Sequence, residues 1–178
     1  MRIFIAVETP PFLVPGLGPS SPNASAPPHL TLKFLGEVPD ERVGEVGRAL
    51  ERALHGASSF PITLRGLGVF PSRSRPRVLW VGISDGAKEL SELARRVEGA
   101  MQGLGFPAEE HPFSAHVTVR RFRSGASTSS VVALLERHDQ TVFAAGWVRE
   151  VELKASELLP EGARHTTLLR VSLAPSPA

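Results

Sequence analysis

Two stretches of the chain carry the same order of residue types: His29-Leu30-Thr31-Leu32-Lys33 and His116-Val117-Thr118-Val119-Arg120. Each reads His, apolar, Thr, apolar, base. An imidazole takes or gives a proton near neutral pH, and two of them can do both in one reaction. One removes a proton from a nucleophile while the other, protonated, supplies one to a leaving oxygen. Threonine hydroxyls beside them can donate hydrogen bonds to non-bridging phosphate oxygens, and Lys33, Arg120 or Arg121 can balance negative charge as it builds. Such a site needs no metal. The sequence has no His-Glu-x-x-His, no aspartate-rich loop and no Cys/His tract, so neither a metal nor a cofactor is expected.

Strict alternation of polar and apolar residues describes a half-buried β-strand. In the first stretch His29, Thr31 and Lys33 fall on one face and Leu30, Leu32 and Phe34 on the other; in the second, His116, Thr118 and Arg120 oppose Val117 and Val119. The imidazole and hydroxyl then stand roughly 6–7 Å apart along each strand. A single His-x-Thr on a solvated strand is commonplace. Two copies with the same interleaving and a base at the same offset predict a duplicated unit whose halves face each other across a cleft.

At 178 residues the chain is long enough for one domain, or two small lobes sharing a core, with a substantial hydrophobic interior. The absence of cysteine excludes disulfides, thiolate metal sites and a cysteine nucleophile. A net charge of +2 is compatible with a polyanionic partner without arguing for one. The apolar segment Arg2 to Val7 is cut off by Glu8 and Pro10, too soon for a signal peptide or a membrane span. A cytoplasmic protein with no membrane partner, acting as a monomer, is the expectation.

The elements that position the two motifs follow in chain order. Arg2 to Glu8 reads as a strand buried on both faces, and Thr9 to Pro28, dense in Pro, Gly and Ser, as an irregular loop ending at the first motif. Pro39-Asp40 opens a helix with Val43, Val46, Leu50 and Leu54 in its apolar stripe, ending near Gly56. Phe60 to Phe70 and Arg77 to Ile83 form a hairpin. Its connection, Pro71 to Pro76, is a basic turn read as solvated or, less plainly, as an arm touching phosphates beyond the reacting one. A second helix spans about Lys88 to Leu104, stopped by Gly105 and Pro107. After the second motif, Ser124 to Ser130 caps a short helix with Val131, Leu134 and Leu135 inside. Thr141 to Leu153 and His165 to Leu173 close the chain as a strand pair around Pro160-Glu161-Gly162. The order motif strand, helix, strand, strand thus occurs twice. It predicts an α+β fold over residues 1–178, one bilobal domain of two similar lobes, antiparallel sheet plus helices, related by a pseudo-two-fold axis.

His29 to Gly36, Phe70-Pro71, the Trp80 strand and Phe113 to Arg121, with Met1 to Ala6 at the start, together resemble the two-histidine phosphoesterase superfamily. The likeness is to its RNA 2′,3′-cyclic phosphodiesterase branch, formerly called 2′-5′ RNA ligases. The resemblance implies hydrolysis of 2′,3′-cyclic phosphate ends of RNA or nucleotides to 2′-phosphomonoesters, together with a reversible ATP-independent 2′-5′ joining of RNA ends. It makes His29 the proton donor and His116 the proton acceptor. Thr31, Thr118, Lys33 and an arginine bind phosphate. The family pattern places that arginine at Arg121, whereas alternation puts Arg120 on the His116 face; a bulge would reconcile the two. The chain departs from the family in having the Pro-rich stretch where a helix is usual before the first motif, and His165 after Gly162 where a tyrosine is common.

Two other readings come from different classes. Gly82-Ile83-Ser84-Asp85-Gly86 matches a nucleophile elbow, with Asp139 and His165 following in triad order. Ser84 or Asp85 is more simply a helix N-cap, and no glycine-rich oxyanion segment precedes it. A non-catalytic RNA-end binding module would need the hydroxyls and cations but not two histidines. His55, His111, His138 and His165 read as surface or turn residues.

Overall fold

A computed structural model of the chain describes residues 1–17, 28–122, 127–160 and 162–176. Its elements are β1 (Arg2–Glu8), β2 (His29–Glu37), α1 (Asp40–Leu54), β3 (Phe60–Ser72), β4 (Arg75–Ile83), α2 (Ala87–Gly103), β5 (His116–Arg121), α3 (Thr128–Arg137), β6 (Val142–Val148), β7 (Glu150–Leu159) and β8 (Gly162–Ser172). Residues 18–27 of the Pro-rich stretch, 124–126 of the Ser/Thr/Gly stretch and position 161 of the last turn lie outside the described residues.

The strands form two four-stranded sheets, β2-β1-β7-β8 and β5-β4-β3-β6, with every neighbouring pair antiparallel. This is the expected two-lobed α+β architecture, but the lobes interleave. The first-motif strand is completed by the C-terminal strands β7 and β8, and the second-motif strand by β3 and β4 from upstream. The stretch expected as a single strand from Thr141 to Leu153 breaks at Arg149. Before the break β6 pairs with β3, after it β7 pairs with β1, so Arg149 is where the chain changes sheets. The β3–β4 connection is also tighter than expected, with strand pairing continuing to Ser72 and Arg75.

Each sheet buries the face away from the motifs. Ile3, Ile5 and Val7 of β1 are fully buried, as are Leu30 of β2 and Leu153 of β7. Helix α1 packs on β8 and on α2, α2 lies along β2, and α3 covers β3 and β4. In α1 the stripe residues Val46, Leu50 and Leu54 are buried, and Asp40 and Glu41 sit in the first turn, where they complement the helix dipole. The N-cap of α2 is Gly86 at φ +83°, with no side-chain cap, so neither Ser84 nor Asp85 has the capping role expected of it. The start of the Pro-rich stretch contributes to the core through Phe12 and Val14, and Thr9 N–H donates to Pro28 O at 2.9 Å, tying the two ends of the loop together. Among the described residues, no helix is long and apolar enough to cross a membrane.

Candidate active site

The two motif strands are the edge strands β2 and β5, and they lie against each other where the sheets meet. Strand pairing decides which side chains face the other lobe. On β2, Glu8 pairs with His29 and Ala6 with Thr31, but the next residue of β1, Ile5, pairs with Lys33, leaving Leu32 without a partner. One extra residue reverses the alternation beyond it. Phe34, opposite Phe4, therefore joins the His29–Thr31 face, and Lys33 turns to the helix side. On β5, Gly82 pairs with His116 and Trp80 with Thr118; Leu79 then pairs with Arg120 and Val78 with Arg121, leaving Val119 in a bulge. Arg121 rejoins the His116–Thr118 face and Arg120 leaves it. Both strands thus carry a bulge at the residue just after Thr, in agreement with a duplicated unit.

This corrects the simple alternation for Lys33 and Phe34. Lys33 is 3 % exposed, and its ammonium donates to Glu98 Oε2 at 2.7 Å and Pro107 O at 3.0 Å. It secures α2 and the segment after it to β2 and does not share the His29 face. Its carboxylate partner Glu98 is held below the usual carboxylate range: burial would raise it, but the hydrogen bonds from Lys33, Gln102 and the Glu109 N–H prevail. Phe34, expected inside, is 57 % exposed on the motif face.

His116 Nδ1 lies 2.7 Å from Ser114 O. A carbonyl only accepts, so Nδ1 carries the proton and the neutral ring keeps its lone pair on Nε2. The pKa of His116 is lowered, first by burial and further by the charge of Arg121, against the opposing effect of the Ser114 hydrogen bond. A ring held neutral with Nε2 free of a proton is in the state a general base requires. Its walls are aromatic, with Phe70 edge-on at 5.0 Å and Trp80 at 6.1 Å between centroids. Trp80 lies across Gly68, where an added Cβ would come within 2.0 Å of the indole. Any side chain at 68 would push that ring out of place.

His29 sits on Phe4 at 5.3 Å. A third imidazole completes this side: His165 stands edge-on to His29 at 5.1 Å and to Phe4 at 4.9 Å. Its pKa is lowered by burial and by the charge of Lys154, and its Nδ1 is enclosed without a hydrogen-bond partner among the described residues. This corrects the expectation of a surface or turn residue at His165. Its position at the start of the last strand gave no signal of a neighbour 136 positions upstream, although its place in the family pattern marked it as unusual. His138, expected as a surface or turn residue, lies in the turn that ends α3 but is buried there, and it shares a hydrogen bond with the Thr141 hydroxyl at 3.1 Å.

The same face of the first sheet carries Glu152, opposite Ala6, and Lys154, opposite Phe4. Both are almost fully buried. Lys154 Nζ donates to Glu152 Oε2, with Glu8 Oε1 at 3.5 Å and the Thr167 hydroxyl at 3.3 Å; Arg170 Nε donates to Glu152 Oε1 at 2.8 Å. These charges sit in strands whose sequence reads as buried, and nothing in their local spacing set them apart.

Ser84, by contrast, lies in the β4–α2 connection, where its N–H donates to Thr63 O at 3.0 Å. Among the described residues only glycines have positive φ, so Ser84 lacks the strained backbone of a nucleophile elbow. Its would-be triad partner His165 is on the other sheet, against His29.

Residues 19–156 match the sequence profile of the 2′-5′ RNA ligase superfamily. The chain is 37 % identical over 148 residues to the RNA 2′,3′-cyclic phosphodiesterase of Aeropyrum pernix, covering 83 % of each chain. It is 33 % identical over 172 residues to the enzyme of the same name from Archaeoglobus fulgidus, covering 91 % of this chain and 94 % of that one. Among solved structures it is similar to a Thermus thermophilus protein (TM-score 0.75, 26 % identity, 98 % and 99 % of the two chains). It is also similar to E. coli LigT complexed with 3′-AMP (TM-score 0.71, 26 % identity, 97 % of each).

Proposed function

The chain belongs to the 2′-5′ RNA ligase superfamily, and on that premise we propose that it is an RNA 2′,3′-cyclic phosphodiesterase. It opens the cyclic phosphate at an RNA or nucleotide end to a 2′-phosphomonoester. The reading rests on one observation above the others: two His-x-Thr strands, each bulged at the same residue, lie at the edges of two sheets that meet there. His116 Nε2 takes a proton from water as the water oxygen attacks phosphorus. The bond from phosphorus to the 3′ oxygen breaks, and His29 supplies the proton that oxygen needs to leave as a hydroxyl. Thr31, Thr118 and Arg121 hold the non-bridging oxygens and stabilise their growing charge. Solvent then returns a proton to His29 and removes one from His116. With an RNA 5′-hydroxyl in place of water, the same ring-opening step joins two ends through a 2′-5′ linkage without ATP, and attack of the 3′-hydroxyl on that linkage reverses it. The whole chain acts as one bilobal domain, monomeric and cytoplasmic, with no membrane partner and no metal in the reaction.

Incubation with a 2′,3′-cyclic nucleotide in excess chelator is expected to yield the 2′-monophosphate. No turnover there, with turnover restored by added metal, would overturn the metal-free mechanism.

The bulge at Val119 makes a second expectation specific. Replacing Arg121 by Gln removes a charge-assisted contact to an anion, worth about 1.5–3 kcal/mol, or roughly 10- to 100-fold in kcat/KM. It also removes a positive charge that lowers the His116 pKa, so the acidic limb of the pH profile moves up. On a 2′,3′-cyclic mononucleotide, Arg120→Gln is expected to leave the limb in place and kcat/KM within about threefold, a difference under 1 kcal/mol. Equal effects of the two substitutions would mean the bulge does not select the arginine.

A further inference from the structure

The charges of the two sheets are distributed very differently. The strands of the β2-β1-β7-β8 sheet hold five acidic and five basic residues. The strands of the β5-β4-β3-β6 sheet hold five arginines and no acidic residue or lysine. A sixth arginine, Arg73, occupies the β3–β4 turn. In the first sheet most of the charges are paired, as in Lys154 with Glu152, Lys33 with Glu98 and Arg164 with Glu157. In the second, Arg73, Arg75, Arg77, Arg120 and Arg121 are exposed and have no carboxylate partner among the described residues.

These five arginines are neighbours. Arg75 pairs with Ser72 across the turn, the Phe122 N–H donates to Arg77 O at 2.9 Å, and Arg121 and Arg120 pair with Val78 and Leu79. The bulge at Arg77 returns Arg75 to the His116 face with Arg121, while Arg77 and Arg120 lie off it, so the arginines line both sides of β4 and β5 from the motif out to the hairpin tip. Like charges gathered on adjacent strands repel one another, and the chain from Ala57 to Ile83 holds no acidic residue to offset them. The chain's small net charge hides the asymmetry. A polyanion that reaches the cleft would neutralise a row of these side chains at once and release its own counterions.

We propose that the β3–β4 hairpin and the adjoining β5 edge form a docking surface for the phosphate backbone of single-stranded RNA whose cyclic end lies in the cleft. The inference rests on the phosphodiesterase reading above and adds to it the path of the strand and a preference for polynucleotide over mononucleotide substrates. Guanidinium groups suit this task because each offers a fork of donors to a phosphate without reading the base, so the surface grips RNA of any sequence.

The test compares kcat/KM for a 2′,3′-cyclic mononucleotide with that for an oligonucleotide bearing the same terminal nucleotide and a 2′,3′-cyclic end. Both substrates are used at low and high salt, with the wild type and with Arg73→Ser/Arg75→Ser/Arg77→Ser. Wild type is expected to prefer the oligonucleotide by at least about tenfold at low salt. That preference should fall with salt, by a slope of about −0.7 per phosphate neutralised. The triple variant, in which Arg121 is untouched, should lose the preference and keep its mononucleotide rate within about twofold, under 1 kcal/mol. Fluorescence anisotropy of a labelled single-stranded RNA without a cyclic end reads the same surface independently of catalysis: binding should weaken in the triple variant. A variant that keeps both its preference and its RNA affinity overturns the docking surface, as does an equal fall on both substrates. Failure of the wild type to hydrolyse either substrate would overturn the phosphodiesterase reading instead, and anisotropy would still decide whether the hairpin binds RNA.

Discussion

Replacing His116 by Ala is expected to slow hydrolysis of a 2′,3′-cyclic nucleotide by on the order of 10²–10⁴-fold, the range for loss of a general acid or base, and His29→Ala by a similar factor. The two losses part on a substrate whose leaving group needs no proton. With a nitrophenyl phosphodiester, the departing nitrophenolate is stable as an anion, so a proton donor contributes little while water must still be activated. His29→Ala should then retain far more activity than His116→Ala. The structure supplies a reason for this order. His116 has its Nδ1 proton committed to Ser114 O and a pKa lowered by burial and by Arg121, all of which favour a neutral ring with an open Nε2. In the wild type the dependence of kcat/KM on pH should be bell-shaped, its limbs belonging to the coupled pair. Equal losses on the activated substrate, or the reverse order, would refute the assignment of His29 as acid and His116 as base.

The motifs, the strands that bear them and the three helices could be read from the sequence because each depends on local periodicity. Alternation places Leu30 and Thr31, or Val117 and Thr118, on opposite faces whatever the partner strand does. What periodicity cannot locate is a residue inserted between two ladder pairs, because a bulge is a property of two strands and the sequence of one shows only its own alternation. The bulges at Leu32 and Val119 reverse everything after them. Lys33 consequently binds Glu98, Phe34 faces the cleft, and Arg121 rather than Arg120 shares the His116 face. The interleaving of the sheets escaped for a related reason: β7 pairs with β1 across most of the chain length, and no local signal selects that partner over the strand beside it in sequence. The place of His165 is hidden from the sequence on the same ground, since its neighbours Phe4 and His29 come from the other end of the chain. Here the family pattern, by marking the position as unusual, held information that spacing did not.

The largest effect on stability is expected at Glu152. It is 2 % exposed, and its two oxygens receive Lys154, itself 4 % exposed, the Thr167 hydroxyl and Arg170. Its carboxyl lies below the usual range; burial opposes this, and the hydrogen bonds and charges of Lys154 and Arg170 outweigh it. Because the folded pKa is depressed, the contribution of Glu152 is fully present above the unfolded value of about 4.3 and is lost as pH falls through the lower folded value. Truncation to Ala removes the carboxylate and leaves the Lys154 ammonium buried, with Glu8 Oε1 at 3.5 Å and the uncharged Thr167 hydroxyl at 3.3 Å as its remaining partners among the described residues. Breaking a buried pair by removing one partner costs about 3–5 kcal/mol. At roughly 2–4 °C per kcal/mol for a chain of this size, Tm should drop by on the order of 10 °C. Removing both charges is expected to cost less than removing one: Glu152→Leu with Lys154→Met replaces an ion pair by apolar volume and leaves no orphaned ammonium, so the double variant should recover much of the lost Tm. Lys154 also lowers the pKa of His165, which touches His29. The double variant should therefore raise the His165 pKa, visible by NMR titration. A Tm change under about 2 °C for Glu152→Ala, less than 1 kcal/mol on the same scale, would mean that Glu8 and solvent replace the lost carboxylate and that the network does not hold the two C-terminal strands to β1.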